Sequence, residues 1–364
     1  MILSRPVANA VGSSGAGGRV LFVPVSGPRG MGEYARALAI ATALVRRNPQ
    51  LEIHFALSRE APYAADTPFP MTLLPASPTF HSSEMRDLIY RLRPTLVVFD
   101  NAGRSAQLRA AASVDARIVF VSSRRRQRRR AFRLQWMRML DEHWIAYPEF
   151  VAGELSLFER MKLGWMGRPN LKYLDALLPP PDAQLAASVR AKLNVSPNEY
   201  VLVVPGGGSA HPGAEDAPQI VAEAARQIAE RNIPTVLVGV TPAGSATHLL
   251  LAPRMPMAEL VELIRGARLV ISNGGDTLLQ AIACHRPCVA VPIAGDQAHR
   301  IKQCERKGLA VRAYLDVADL VKSAADLLDD ESRRTALSRR LATAGIVNGM
   351  DLAVTTIERL AQPR

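Results

Sequence analysis

The chain has 364 residues, 48% of them apolar, which is too long for one ordinary core and suits two domains that each bury an interior. Its apolar runs fall short of the ~20 residues that cross a bilayer, which argues against an integral membrane protein. Three cysteines, Cys284, Cys288 and Cys304, form no C-x-x-C pair, which argues against a disulfide framework or structural zinc and for a reducing, cytoplasmic setting.

Residues 1–18 lack a convincing apolar core and cleavage site of a signal peptide and read as a flexible tail. From there RVLFVPV (19–25), a Gly loop and a helix around Leu38 to Val45 begin an alternation of strand and helix. It continues with LEIHFAL (51–57), a helix over 81–92, TLVVFD (95–100), a helix near 105–113 and RIVFVSS (117–123). A helix is expected near 130–142, and then the short strand HWIAY. Strands alternating with helices imply parallel βαβ units. LLPPPD (177–182) marks the boundary between an N-terminal Rossmann-like domain, 19–178, and a second one, 183–350. There YVLVVP (200–205), TVLVGV (235–240), RLVIS (268–272) and CVAVPI (288–293) alternate with helices near 215–231, 257–265 and 276–284. Helices near 317–329 and 331–342 come next, and a last one within 351–364 is expected to pack back on the first domain. The fold class is therefore α/β, two doubly wound domains facing a cleft.

The stretch ISNGGDTLLQAIACHRPCVAVPIAGDQ (271–297) has the features of a ligand site. In open parallel sheets ligands sit beyond the carboxyl ends of the strands, where a helix N-terminus offers free amides to an anion. Gly274 and Gly275 permit close backbone approach, and Asp276 or Thr277 is expected to cap the helix. Thr277 and the glycine amides would face a diphosphate, and Gln280 the hydroxyls of a ribose. Asp296 and Gln297, at the end of a neighbouring strand, would suit the hydroxyls of an attached sugar. A plain packing turn is the alternative.

This stretch resembles the nucleotide-sugar glycosyltransferases of the two-Rossmann, GT-B fold. It is most similar to the lipid-II-forming GlcNAc transferase and the UDP-glycosyltransferases, whose order is His-Gly-Gly, Thr, Glu, then G-x-P and Asp-Gln. Here the family His is Asn273, the family Glu is Gln280, and Arg286 stands before Pro287 in place of a Gly. The resemblance implies that Asn273 still donates to a phosphate. It also assigns the PGGGSA loop (205–210), with Gly207, Gly208 and Ser209, to a phosphate or the acceptor, and a loop near Arg254 and Met255 to the base. His211, just after the Gly loop, reads as an exposed loop residue.

GMGEYARALAIATAL (30–44) resembles the Gly loop and helix of the same enzymes, and still more the G-x-G-H-x-x-R of the UDP-sugar hydrolase of pseudaminic acid synthesis. Gly30, Gly32 and Arg36 match, and Glu33 replaces the histidine that faces the cleft. A carboxylate can take the proton of an attacking hydroxyl, so Glu33 is the first candidate base and Asp100, at a strand tip, the second. Glu33 is alternatively an acid placed favourably in a first helical turn.

Charge is unevenly spread: residues 1–178 hold 25 Lys and Arg against 14 Asp and Glu, and residues 179–364 hold 20 against 19. The run RRRQRRR places Arg124, Arg125, Arg126, Arg128, Arg129 and Arg130 ahead of Phe132, Trp136, Met139 and Leu140 at helix-like spacing. With Arg36, these form a candidate patch for an anionic acceptor or membrane surface; the alternative is an apolar core stripe beside solvated arginines. Nucleic acid ranks lower, because no nucleic-acid-binding motif accompanies the charge.

The expectation is thus an inverting, metal-independent transferase that takes a UDP- or dTDP-sugar as co-substrate and has no other cofactor. It would be cytoplasmic, peripheral on the inner face of the membrane, with a lipid-linked or anionic acceptor. A nucleotide-sugar hydrolase and a non-catalytic nucleotide-sugar-binding relative are the alternatives.

Overall fold

The computed structural model describes residues 18–28, 31–206 and 214–362. Strands β1 (Arg19–Pro24), β2 (Glu52–Ser58), β3 (Met71–Leu74), β4 (Leu96–Asp100), β5 (Arg117–Ser122), β6 (Glu142–Ile145) and β7 (Asn170–Tyr173) build the first sheet. It is parallel throughout, in the order β3-β2-β1-β4-β5-β6-β7. Its helices are α1 (Gly32–Arg47), α2 (Ser82–Leu92), α3 (Ser105–Ser113), α4 (Arg125–Ala131), α5 (Leu134–Met137), α6 (Glu149–Ala152) and α7 (Leu157–Met166). The near-continuous apolar runs of β1, β4 and β5 follow from this arrangement, since helices cover both faces of each central strand. On one face Phe22 stacks on Phe55 at 5.3 Å; on the other Phe120 meets Trp136 edge-on at 5.2 Å.

The second domain repeats the plan. Its strands β8 (Val201–Val204), β9 (Thr235–Val238), β10 (Leu249–Ala252), β11 (Leu269–Asn273), β12 (Cys288–Val291) and β13 (Val311–Arg312) run parallel in the order β10-β9-β8-β11-β12-β13. Around them lie α8 (Ala183–Lys192), α9 (Ala217–Ala229), α10 (Met257–Gly266), α11 (Asp276–Ala283), α12 (Gly295–Arg306), α13 (Val317–Leu328) and α14 (Glu331–Ala342). Both sheets reverse their strand order once, between β1 and β4 and between β8 and β11, and such a reversal opens a crevice at the carboxyl edge.

The chain crosses between domains twice, and the crossings are stitched together. Asn348 accepts from the Leu178 amide at 3.0 Å and donates to the Leu178 carbonyl at 2.8 Å, while the Gly349 amide donates to Ala176 at 2.8 Å. A β-carbon on Gly349 would lie 2.0 Å from the Leu174 carbonyl oxygen, so only glycine lets the strands approach this closely. The last helix, α15 (Gly349–Ala361), then lays Ala353, Val354, Ile357 and Leu360 into the core of the first domain beside α1.

Several elements differ from the sequence expectation. The helix expected near 130–142 is instead the two short helices α4 and α5, and the arginine run itself is helical. Phe132, Trp136 and Leu140 are buried in the core and Met139 packs against it, so the stripe beside the arginines is not a lipid-facing surface. Asp296 and Gln297 stand in the first turn of α12 rather than at a strand end.

Candidate active site

Because every strand of each sheet is parallel, the carboxyl ends of β1, β4, β5 and β6 share one edge of the first domain. Those of β8 to β12 share one edge of the second. The two edges meet at α1 and α11. Arg36, one turn into α1, pairs with Asp100 at the tip of β4 through two hydrogen bonds, Nε to Oδ2 at 2.7 Å and Nη2 to Oδ1 at 3.0 Å. It then reaches across to Asp276, in the first turn of α11, at 3.3 Å. Arg36 is only 4% exposed and Asp100 only 2%, so this is a buried ion pair with a third member from the other domain. It removes Arg36 from the surface patch in which the sequence placed it.

Burial alone would lower the basicity of Arg36, but Asp100 and Asp276 outweigh it and hold the guanidinium charged. Burial pushes the Asp100 carboxyl up to about 6, against the pull of Arg36 and with help from Glu33 and Asp276. Both Asp100 oxygens are committed to Arg36, which makes it a positioning residue for the guanidinium rather than a free base. Glu33 lies one turn before Arg36, on the same face of α1, because residues three apart are neighbours on a helix. It is half-buried and accepts a hydrogen bond from Asn101 Nδ2 at 2.9 Å. Asn101 has a positive φ of 53° and accepts from the Ser123 amide at 2.9 Å, which fixes the amide that holds Glu33.

On the facing side, α11 starts without a side-chain cap: Gly275 is the cap residue, and neither Asp276 nor Thr277 takes that role. Asp276 is turned toward Arg36, and half-buried Thr277 stands beside it in the same first turn. Asn273 does not offer its side chain freely to a phosphate. Its Nδ2 donates to Pro205 O at 3.0 Å and its Oδ1 accepts from Gly275 N at 2.8 Å, clamping the ends of β8 and β11 together. Gly206, at φ 116°, leaves room for that amide. A β-carbon on Gly274 would come within 2.8 Å of Gln297 and Ile301, so the glycine lets α11 start against α12.

Gln280 is buried, and its Nε2 donates to Leu177 O at 3.2 Å, tying α11 to the interdomain crossing. Gln297 is also buried and accepts from Ile293 N at 3.0 Å, which shapes its loop. Asp296 remains exposed and lines a cleft of about 400 Å3 together with Ser122, Ser123, Arg124, Arg125, Tyr147, His299 and Arg300. Arg254 is exposed at the edge beyond β10, packed over Gly239, and Met255 is half-buried against the core. Gly30, Gly207, Gly208, Ser209 and His211 lie outside the described residues.

Two residues of the cleft carry no signal in the sequence reading. Arg300 is buried, stacks over the Tyr147 ring at 4.0 Å, donates to the Gly274 carbonyl and pairs with Asp296 at 3.4 Å. Burial and nearby Asp276 push the Tyr147 phenol upwards, so it stays protonated beside the carboxylates. Tyr147 is the last residue of the HWIAY stretch, two past the end of β6, at the carboxyl edge of the sheet; Arg300 is one turn after Asp296 on a helix that the apolar pattern does not reveal.

The profile of the UDP-glucoronosyl and UDP-glucosyl transferase family matches residues 165–361, more than half of the chain. The chain belongs to that family. A stretch of 167 residues is 25% identical to UDP-glucuronosyltransferase 2C1 of Oryctolagus cuniculus, covering 45% of this chain and 33% of that protein, so the chain matches about a third of the curated relative's length. Among solved structures, a spinosyn forosaminyltransferase superposes with a TM-score of 0.63 at 14% identity, over 95% of this chain and all of the other. A UGT transferase from Siraitia grosvenorii in complex with UDP gives 0.56 at 12% identity, over 95% and 100%. These structural likenesses establish the GT-B fold, two Rossmann-like domains about one cleft.

Proposed function

We propose that this family member transfers a sugar from a UDP-sugar to an acceptor hydroxyl in the cleft between the domains, with inversion at the anomeric carbon. The observation that carries the reading is the Arg36 to Asp276 contact, which sets the start of α11 opposite Glu33. The diphosphate would lie at the α11 N-terminus, where free amides, the helix dipole and Thr277 meet its charge, with buried Arg300 behind the Gly274 loop. Asp296, exposed in the cleft that Arg300 also lines, is placed for sugar hydroxyls. Glu33, held by Asn101, accepts the proton of the attacking hydroxyl as the C–O bond to the diphosphate breaks. Fixed amides and the chain's own cations then stabilise the leaving group, with no call on a metal ion. Arg124 and Arg125 at the cleft wall favour an acceptor that carries negative charge.

The experiment is a Glu33→Gln variant. Removing a general base is expected to lower kcat about 10²–10⁴-fold, while the Kd for UDP stays within about twofold, because Glu33 lies across the cleft from the diphosphate site. Turnover that survives the substitution would move the base elsewhere. Free sugar released at the full rate without acceptor would make the protein a hydrolase, and absence of UDP binding in a thermal-shift assay would leave a non-catalytic relative.

A further inference from the structure

We propose that α7 and the arginines of α4 form a docking surface for an anionic lipid bilayer. Helix α7 is amphipathic in the opposite sense to an ordinary surface helix. Leu157, Phe158, Met161 and Trp165 are 81%, 73%, 61% and 72% exposed. At about 100° per residue they fall within one arc of about 100°. The opposite side of α7 meets the body of the protein through polar contacts. Glu159 accepts from Arg128 at 2.9 and 3.1 Å, and Lys162 donates to the Phe132 carbonyl at 3.1 Å. Large apolar side chains held outward by an ion pair and a hydrogen bond on the inner face are left exposed among the described residues, and an exposed apolar patch of this kind marks an interaction surface.

The same contacts identify the partner. Arg128 is itself buried, spent on Glu159 and on the carbonyls of Ala152, Gly153 and Glu154, so it belongs to the α4–α7 joint and not to the charged patch. Arg124, Arg125, Arg126 and Arg129 are exposed beside it, while Arg130 is half-buried, donates to the Gly103 carbonyl at 3.2 Å and lies over the Trp136 ring. Arg125, Arg126, Arg129 and Arg130, with Arg104 and Arg133, line a cavity of about 490 Å3 that has no acidic residue in its wall. Burial, and then Arg104, Arg126 and Arg133, lower the basicity of Arg130, as expected where cations crowd without counter-charge. An apolar stripe on α7, a helix that Arg128 and Glu159 join to α4, together with guanidinium groups whose cavity wall holds no acid among the described residues, matches a bilayer, whose acyl chains take the first and whose phosphates take the second. Arg125 lines both this cavity and the cleft, so the docked bilayer would lie beside the mouth of the cleft. Docking stands whether or not the cleft transfers sugar.

The full chain is mixed with vesicles of phosphatidylcholine alone or with phosphatidylglycerol, and binding is read by co-sedimentation and by tryptophan fluorescence. Trp136 and Trp144 are fully buried, so a blue shift on vesicle addition reports Trp165. The expected result is binding and a blue shift with phosphatidylglycerol only. Both should weaken by at least about tenfold in Phe158→Ser/Met161→Ser and in Arg126→Glu/Arg129→Glu. These side chains are surface-exposed, and an unchanged melting temperature checks that the variants fold. Absence of vesicle binding, or binding that the apolar variant leaves intact, overturns the proposal. A dimer in light scattering that dissociates in Phe158→Ser/Met161→Ser, without vesicle binding, would assign the face to a second copy instead.

Discussion

Arg36→Met tests the buried pair that joins the two domains. The substitution keeps the length of the stem and removes the guanidinium, leaving Asp100, 2% exposed, without the partner that both its oxygens use. Breaking a buried pair from one side costs about 3–5 kcal/mol, because a charge remains in low dielectric. Asp100 has one escape, which is to bind a proton. Its carboxyl already sits at about 6 with Arg36 beside it, and without Arg36 the folded value climbs further. A carboxyl whose folded pKa is raised contributes stability below its unfolded value near 3.8, and loses it as pH rises through the folded value. In the wild type that loss ends near 6; in Arg36→Met it continues above 6, at about 1.4 kcal/mol per pH unit. The deficit of the variant should therefore be about 3 kcal/mol near pH 8 and smaller near pH 6, measured by chemical denaturation. Arg36→Met/Asp100→Leu, which leaves no orphan at that position, should recover most of the loss. A deficit under about 1 kcal/mol at both pH values, one that shrinks as pH rises, or strict additivity of the two single changes would refute the reasoning.

His143 and Gln280 give two further tests. His143 is fully buried between Phe120 and Phe132, and burial lowers its pKa from 6.5 to about 3. Only the unfolded chain then gains a proton below 6.5, so the wild type should lose about 2 kcal/mol more than His143→Gln between pH 7 and pH 5; parallel pH profiles would exclude His143 as the source. Gln280→Leu should cost about 1 kcal/mol of stability through the lost bond to Leu177 and leave the Kd for UDP within about twofold; a tenfold rise would restore the ribose contact that the sequence suggested.

The sequence by itself determined the architecture. Runs such as VLFV in β1, LVVF in β4 and VLVV in β8 are apolar on both faces, which a strand tolerates only in a parallel sheet covered on both sides. The glycines after β11 likewise marked the start of α11, since close backbone approach leaves a local trace. What each polar side chain does was decided only by the tertiary structure. Gln280 and Asn273 look like ligand contacts in one dimension, yet their partners, Leu177 O and Pro205 O, are backbone groups supplied by the packing of distant segments. Arg36 and Arg128 look like surface charge, yet Asp100 and Glu159, 64 and 31 residues away, bury them. In helix α7 the large apolar residues share one face, and the Arg128–Glu159 pair and the Lys162 bond to the Phe132 carbonyl turn that face outward. Periodicity encodes which side chains share a face of an element, because backbone geometry is local; whether that face meets core, partner or solvent depends on charges and carbonyls brought from distant parts of the chain.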